Sequence, residues 1–268
     1  MIKKNNHPIG IFDSGLGGLT VVREIKKILP NEDIVYFGDN ARLPYGIKSK
    51  RQIIECSLNN ARFLLKKKIK ALVIACNSSS ANALYVLKKR LTIPIIDVIR
   101  PASQAACEVT RNKKIGIIGT SATIESHAYQ REIRKIDSRI KVYTQKCPLL
   151  VPLVEEGWIH NEITDSIIKK YLWPLLKERI DTLLLGCTHY PLLKRAIIKQ
   201  AGKHVNIVDS GPRAAYDLMR KLTSCDLLNA TKRKGTLKIF VSDLSPHFIT
   251  IGERFLKHKL EHVSVVRI

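Results

Sequence analysis

No apolar run in this 268-residue chain approaches the roughly 18 residues that a membrane-crossing helix needs. The stretch Met1 to His7 is polar and has no signal-peptide apolar core, so a soluble, cytoplasmic protein without membrane contact is expected. Cysteine is sparse: six residues, none in a C-x-x-C pair, which argues against a disulfide framework or a zinc ribbon and leaves free thiols as the default. Acidic residues are few, 23 against 46 Lys and Arg, giving a net charge of +23. Such a charge ordinarily points to nucleic acid or an anionic surface. Here the basic residues are spread over the whole chain in short runs such as Lys66-Lys67-Lys68 and Lys232-Arg233-Lys234. Aromatics are only 6% and are not interleaved with them. Solvated helix faces account for that pattern better than specific nucleic-acid recognition, although weak binding to polyanions is compatible with it.

The 45% hydrophobic content is instead gathered into short buried segments. Two of them read alike. Ala71-Leu72-Val73-Ile74-Ala75 runs into Cys76-Asn77-Ser78, and Thr182-Leu183-Leu184-Leu185-Gly186 runs into Cys187-Thr188-His189-Tyr190-Pro191. Each is the signature of a buried parallel strand that ends in a thiol flanked by small polar groups. In open α/β sheets that end of a strand is where ligands bind. The preceding segments also repeat: Pro8-Ile9-Gly10-Ile11-Phe12-Asp13-Ser14-Gly15 resembles Lys114-Ile115-Gly116-Ile117-Ile118-Gly119-Thr120-Ser121. Gly10 lies 66 positions before Cys76 and Gly116 lies 71 before Cys187, by subtraction of residue numbers. The repeat predicts two similar doubly wound parallel-sheet α/β domains with pseudo-two-fold symmetry, their sheet ends facing across a cleft. The tail beyond the second copy, with strands over 238–242 and 263–267, returns to the first. The expected division is 1–98 with 210–268 for one domain and 99–209 for the other.

In chain order, Asp13 to Gly18 forms a glycine turn between a strand and a helix over Leu19–Leu29. A dinucleotide fingerprint begun at Gly15 needs glycine at position 20 and finds Thr20, and Asp13 would repel a pyrophosphate. A turn that presents Asp13 and Ser14 fits better. Gly38 to Gly46, with its Pro44-Tyr45-Gly46 turn, reads as a binding loop. Ser49 caps a helix to about Lys68. Asn77 and Ser78 are expected to cap a helix beginning near Ser80, a setting that should lower the Cys76 thiol pKa. Pro148 to Gly157 is apolar and ends in the carboxylates Glu155-Glu156.

Several chemistries compete for the thiols. Cys187 with His189 suits a nucleophile and its base. A cysteine-phosphatase loop needs arginine six positions on, where the chain has Leu193 and Asn82. Cys187-x-His189 offers two metal ligands but too few partners. Two thiols in matching contexts suit removal of a proton from one face of a substrate and delivery to the other. The rival of another class is a basic polyanion-binding protein whose thiols are structural.

The motifs Phe12-Asp13-Ser14-Gly15-Leu16-Gly17-Gly18, Leu43-Pro44-Tyr45-Gly46, Ala75-Cys76-Asn77-Ser78 and Gly186-Cys187-Thr188-His189-Tyr190-Pro191 resemble, in order and over most of the chain, those of glutamate racemases. The resemblance implies a cofactor-independent isomerase that interconverts L- and D-glutamate for peptidoglycan, with no metal, often as a homodimer. It implies that Cys76 acts on D-glutamate and Cys187 on L-glutamate, Asp13 assisting the first and His189 and Glu155 the second. Ser14, Tyr45, Gly46, Asn77, Ser78 and Thr188, with Asp13 and His189, would hold the substrate's carboxylates and ammonium. Related aspartate racemases usually carry glutamate where this chain has His189. Ser78 and Asn40 stand where threonine is usual, and both keep hydrogen-bonding ability.

Overall fold

The computed structural model describes residues 4–244 and 248–268; positions 1–3 and 245–247, which include part of the polar amino-terminal stretch, lie outside the described residues. Among the described residues, ten strands form two sheets: β1 (Ile9–Asp13), β2 (Ile34–Gly38), β3 (Ala71–Ile74), β4 (Ile95–Asp97), β5 (Lys114–Gly119), β6 (Lys141–Lys146), β7 (Thr182–Gly186), β8 (Asn206–Asp209), β9 (Leu237–Val241) and β10 (Val263–Val265). The first sheet has the order β10-β9-β2-β1-β3-β4 and the second β6-β5-β7-β8, with every pairing parallel.

The repeat in the sequence is therefore a repeat of topology. Four strands in the order second-first-third-fourth occur twice, and β9 and β10 from the tail extend the first copy beyond β2. Register repeats as well: Gly10 pairs with Leu72, and Gly116 pairs with Leu183. The central strands β1, β2, β3 and β7 are buried along their whole length, which is why they read as unbroken apolar runs. Each fully buried Ile or Leu there contributes about 1.5–3 kcal/mol. The largest apolar cluster runs from Ile11 and Val73 of one unit to Leu183 and Leu185 of the other, so the two sheets share a packed seam. The helix Ser210–Ser224 lies on helices of both units, Leu19–Ile28 and Ile99–Val109.

The expected cap at Ser49 is present. The Ser49 side chain accepts from Gln52 N at 3.3 Å and opens the helix Lys50–Lys66. The helix after Cys76 is a correction: it begins at Asn77, with Cys76 itself at the cap position. Neither Asn77 nor Ser78 caps it, because both side chains are engaged across the seam. One strand, β6, has no counterpart in the apolar pattern; Lys-Val-Tyr-Thr-Gln-Lys is an edge strand with exposed ends and half-buried middle.

Candidate active site

In each unit the chain order reverses between the first and third strands, the place where doubly wound sheets bind ligands. Cys76 follows β3, beside β1 and its Asp13-Ser14 turn. Cys187 follows β7, beside β5 and Thr120. The two switch points face one small cavity lined by Ser14, Tyr45, Gly46, Cys76, Asn77, Ser78, Cys187, Thr188 and His189. All nine are residues that the motifs single out. Asp13 and Glu155 stand behind this wall and act on it through neighbours.

The cavity wall also includes Leu43, Pro44, Thr120 and Val151, which sequence reasoning did not name as site residues. Thr120 had a usable signal: in the aligned repeat it stands where Ser14 stands in the first copy. Val151 lies four residues before Glu155 in the helix Leu150–Glu155, so the two share a face.

The surroundings of the two thiols are parallel but not equal. Cys76 Sγ is 3.7 Å from Ser14 Oγ, and Cys187 Sγ is 3.9 Å from His189 Nδ1. Both thiols are nearly closed off, 5% and 7% exposed. Burial, reinforced by the Asp13 carboxylate, pushes the Cys76 thiol up to about 12. The expected lowering is thus overturned: amide and hydroxyl hydrogen bonds from Ser79 and Ser14 pull the other way but are outweighed by desolvation. Asp13 is itself raised by burial, against the pull of His189 and of the Gly18 and Gly15 amides. Its Oδ2 accepts from Gly18 N at 2.9 Å and Gly15 N at 3.2 Å. Its Oδ1 is buried with no hydrogen-bond partner among the described residues.

His189 carries the opposite balance. Burial pulls the imidazole down, but hydrogen bonds to Cys187 and Glu155 and their negative charge overcome it and raise it to about 10. Glu155 Oε1 is 3.0 Å from Nε2. Phe255 of the returning tail packs edge-on to the ring at 5.2 Å.

Tyr45 lines the cavity with its hydroxyl turned to the protein. It donates to the Asp39 carboxylate and accepts from Asn60 Nδ2 at 3.0 Å. Asp39 also accepts from Arg42 Nε and Ser242 Oγ, each at 3.0 Å, so this buried carboxylate anchors the whole 42–46 loop. Across the seam, Ser78 Oγ is 3.0 Å from Thr120 Oγ1, and Thr20 Oγ1 is 3.3 Å from Thr188 O. Among the described residues, no group of three or more His, Cys, Asp or Glu side chains is placed to hold a metal ion.

Two parallel-sheet units that each bring a thiol to one shared cavity define a two-domain α/β protein with its site at the seam. The sequence pattern of the Asp/Glu/Hydantoin racemase family matches residues 9–217, and the chain belongs to that family of amino-acid racemases, which are isomerases. Its relatives are more particular. The chain is 48% identical over 258 residues to a glutamate racemase of Geobacter metallireducens, covering 96% of each chain. Its fold matches a glutamate racemase isoform from Bacillus anthracis with a TM-score of 0.95 at 39% identity, covering 98% of both chains. It also matches the Francisella tularensis glutamate racemase solved in complex with D-glutamate, with a TM-score of 0.92 at 40% identity and 98% coverage of both. No helix of the described residues is long and apolar enough to cross a membrane.

Proposed function

We propose that this chain interconverts L- and D-glutamate without a cofactor, by proton transfer between two thiols on opposite faces of the α-carbon. The observation that carries the reading is the placement of Cys76 and Cys187 at equivalent strand ends on one cavity. With L-glutamate bound, the Cys187 thiolate takes the α-proton. The electron pair left on the α-carbon spreads into the adjacent carboxylate, and the Cys76 thiol gives its proton to the other face. The raised Cys76 thiol holds its proton in the empty enzyme, ready for that step. In the reverse direction Cys76 is the base, and Asp13, behind the wall, acts on its thiol through charge. His189, kept cationic by Cys187 and Glu155, offsets negative charge on the Cys187 side.

Substrate carboxylates would be held by Ser14, Asn77, Ser78 and Thr188, with Tyr45 and Gly46 closing the wall. A pocket built from buried polar groups rejects analogues that leave them unpaired. Glutamate should therefore outrun aspartate and glutamine. The same reading carries the supply of D-glutamate to peptidoglycan synthesis in the cytoplasm, a homodimer, and domain limits of 1–98 with 210–268 and 99–209. The test is a racemisation assay on purified protein with no added cofactor. Absence of glutamate turnover in folded protein would remove the reading and leave the polyanion-binding alternative.

A further inference from the structure

Tyr129 does not line the cavity and falls outside every motif that identifies the site. It belongs to the helix Ala128–Ile136 of the second unit, and its side chain is 1% exposed. Its hydroxyl donates across the seam to Asn77 Oδ1 at 2.6 Å. Asn77 is the first residue of the helix that follows Cys76, and it lines the cavity. The ring meanwhile bears on the other strand end: a Cβ added at Gly186, the residue before Cys187, would stand 3.2 Å from Tyr129 Cε2. One side chain therefore hydrogen-bonds the residue after one thiol and has its ring beside the residue before the other.

The hydrogen bond also decides which way the Asn77 amide faces. A phenol proton is received by the carbonyl oxygen, so Oδ1 is held toward Tyr129 and the two N–H donors take the remaining side. Asn77 Nδ2 is buried and has no hydrogen-bond partner among the described residues. An unpaired buried amide group is costly, so native proteins seldom keep one unless a ligand receives it. Burial holds the phenol neutral, with the charges of Asp97, Cys187 and Asp209 acting in the same direction, so the hydroxyl remains a donor.

We propose that Tyr129 is a positioning residue, whose hydroxyl locks the Asn77 amide with its N–H donors toward a carboxylate of the substrate. The proposal rests on the reading of glutamate as substrate. It makes the Tyr129 hydroxyl act through Asn77, which the phenylalanine variant isolates because it keeps the ring.

The experiment is a double-mutant cycle on the full chain with Tyr129→Phe, which keeps the ring, and Asn77→Ala, reading kcat and KM for both enantiomers. Wild-type turnover of glutamate is measured alongside; its absence would be a failure of the substrate reading, whereas the cycle tests Tyr129. Tyr129→Phe is expected to raise KM about tenfold, the loss from one misdirected carboxylate hydrogen bond, with kcat changed far less. In the Asn77→Ala background the same change should have almost no further effect. Equal losses in both backgrounds, or an unchanged KM in the single variant, would overturn the proposal. Asn77→Asp tests it with Tyr129 intact: an acceptor for the phenol remains while both amide donors are lost. KM should rise at least as far as in Tyr129→Phe, and an unchanged KM would again overturn it.

Discussion

Glu155 meets His189 from outside the cavity: its Oε1 lies 3.0 Å from Nε2, while Nδ1 of the same ring faces the Cys187 sulfur at 3.9 Å. The carboxylate thus acts on the thiol only through the imidazole. His189→Asn should lower kcat/KM by about 10²-fold, the scale of one positioned acid/base group. Glu155→Gln should cost less, since the imidazole stays in place and loses only a charged partner. The two enantiomers have equal free energy, so each variant must show equal kcat/KM in both directions. Steady-state rates from both sides check this, and a Glu155→Gln loss larger than that of His189→Asn would contradict the arrangement.

The same imidazole links stability to pH. His189 rises from an ordinary 6.5 to about 10 in the folded protein. A group raised on folding stabilises the native state fully below its unfolded value, and that stabilisation is lost as pH climbs through the folded value. The contribution should therefore fade between pH 6.5 and 10. Melting curves of His189→Asn should be flatter over that window than those of the parent. Parallel slopes would mean that the ring is not held as a cation.

Gly17 is where the glycine turn of one unit presses on the other. A Cβ there would stand 2.2 Å from Thr188 Oγ1 and 2.5 Å from His189 Nδ1. Its backbone is outside the left-handed region, so alanine is conformationally acceptable and only the contact is at issue. Gly17→Ala should push the Thr188-His189 segment away from Cys76. A displacement near 1 Å in an active site can cost about 10²-fold, so a loss of that order in kcat/KM is expected with folding retained. A normal kcat/KM in the variant would show that the seam yields freely.

Thiol exposure makes a separate, ordered prediction. All six cysteines are free; Cys225 is exposed, Cys107 half-buried, and Cys76 and Cys187 nearly closed off. Alkylation should modify Cys225 first with activity intact. Inactivation should follow more slowly, tracking Cys76 and Cys187, and glutamate should slow that second phase. Peptide mass spectrometry along the time course reads it. Inactivation in step with Cys225 or Cys107 would count against the cavity as the site.

Much of this was legible because it is written in the apolar pattern. The strands that carry Cys76 and Cys187 are buried on both faces, and such strands have no choice but to be continuous runs. What escaped has physical reasons. The edge strand β6 is solvated, so its residues obey no core pattern. Asn and Ser are good caps in isolation, which points to a helix start later than the observed one at Asn77. Here Tyr129, Thr120 and Thr123 engage those side chains from the other unit, a tertiary effect no local rule contains. The Cys76 thiol follows the same logic: a helix start favours a thiolate, but burial and Asp13 oppose it more strongly. Thr120 is within reach of the sequence as the counterpart of Ser14, and Leu43 and Pro44 as neighbours of Tyr45 in its motif.

The doubling of the site makes the sharpest claim. If each unit supplies one thiol, the α-proton leaves to one sulfur and a different proton arrives from the other. Sulfur-bound protons come from solvent, so in deuterated water early D-glutamate made from L-glutamate should carry deuterium at the α-carbon. The remaining L-glutamate should stay largely unlabelled, because its own proton returns from the sulfur that took it. A single base serving both faces would instead place the same proton, or its exchanged replacement, on substrate and product alike. The variants sharpen the point: Cys76→Ala lacks the acid for one direction and the base for the other, and Cys187→Ala the reverse, so neither should racemise. Rapid labelling of the L-glutamate pool, or near-normal turnover in either alanine variant, would dismiss the two-thiol mechanism while leaving the fold and its cavity as described.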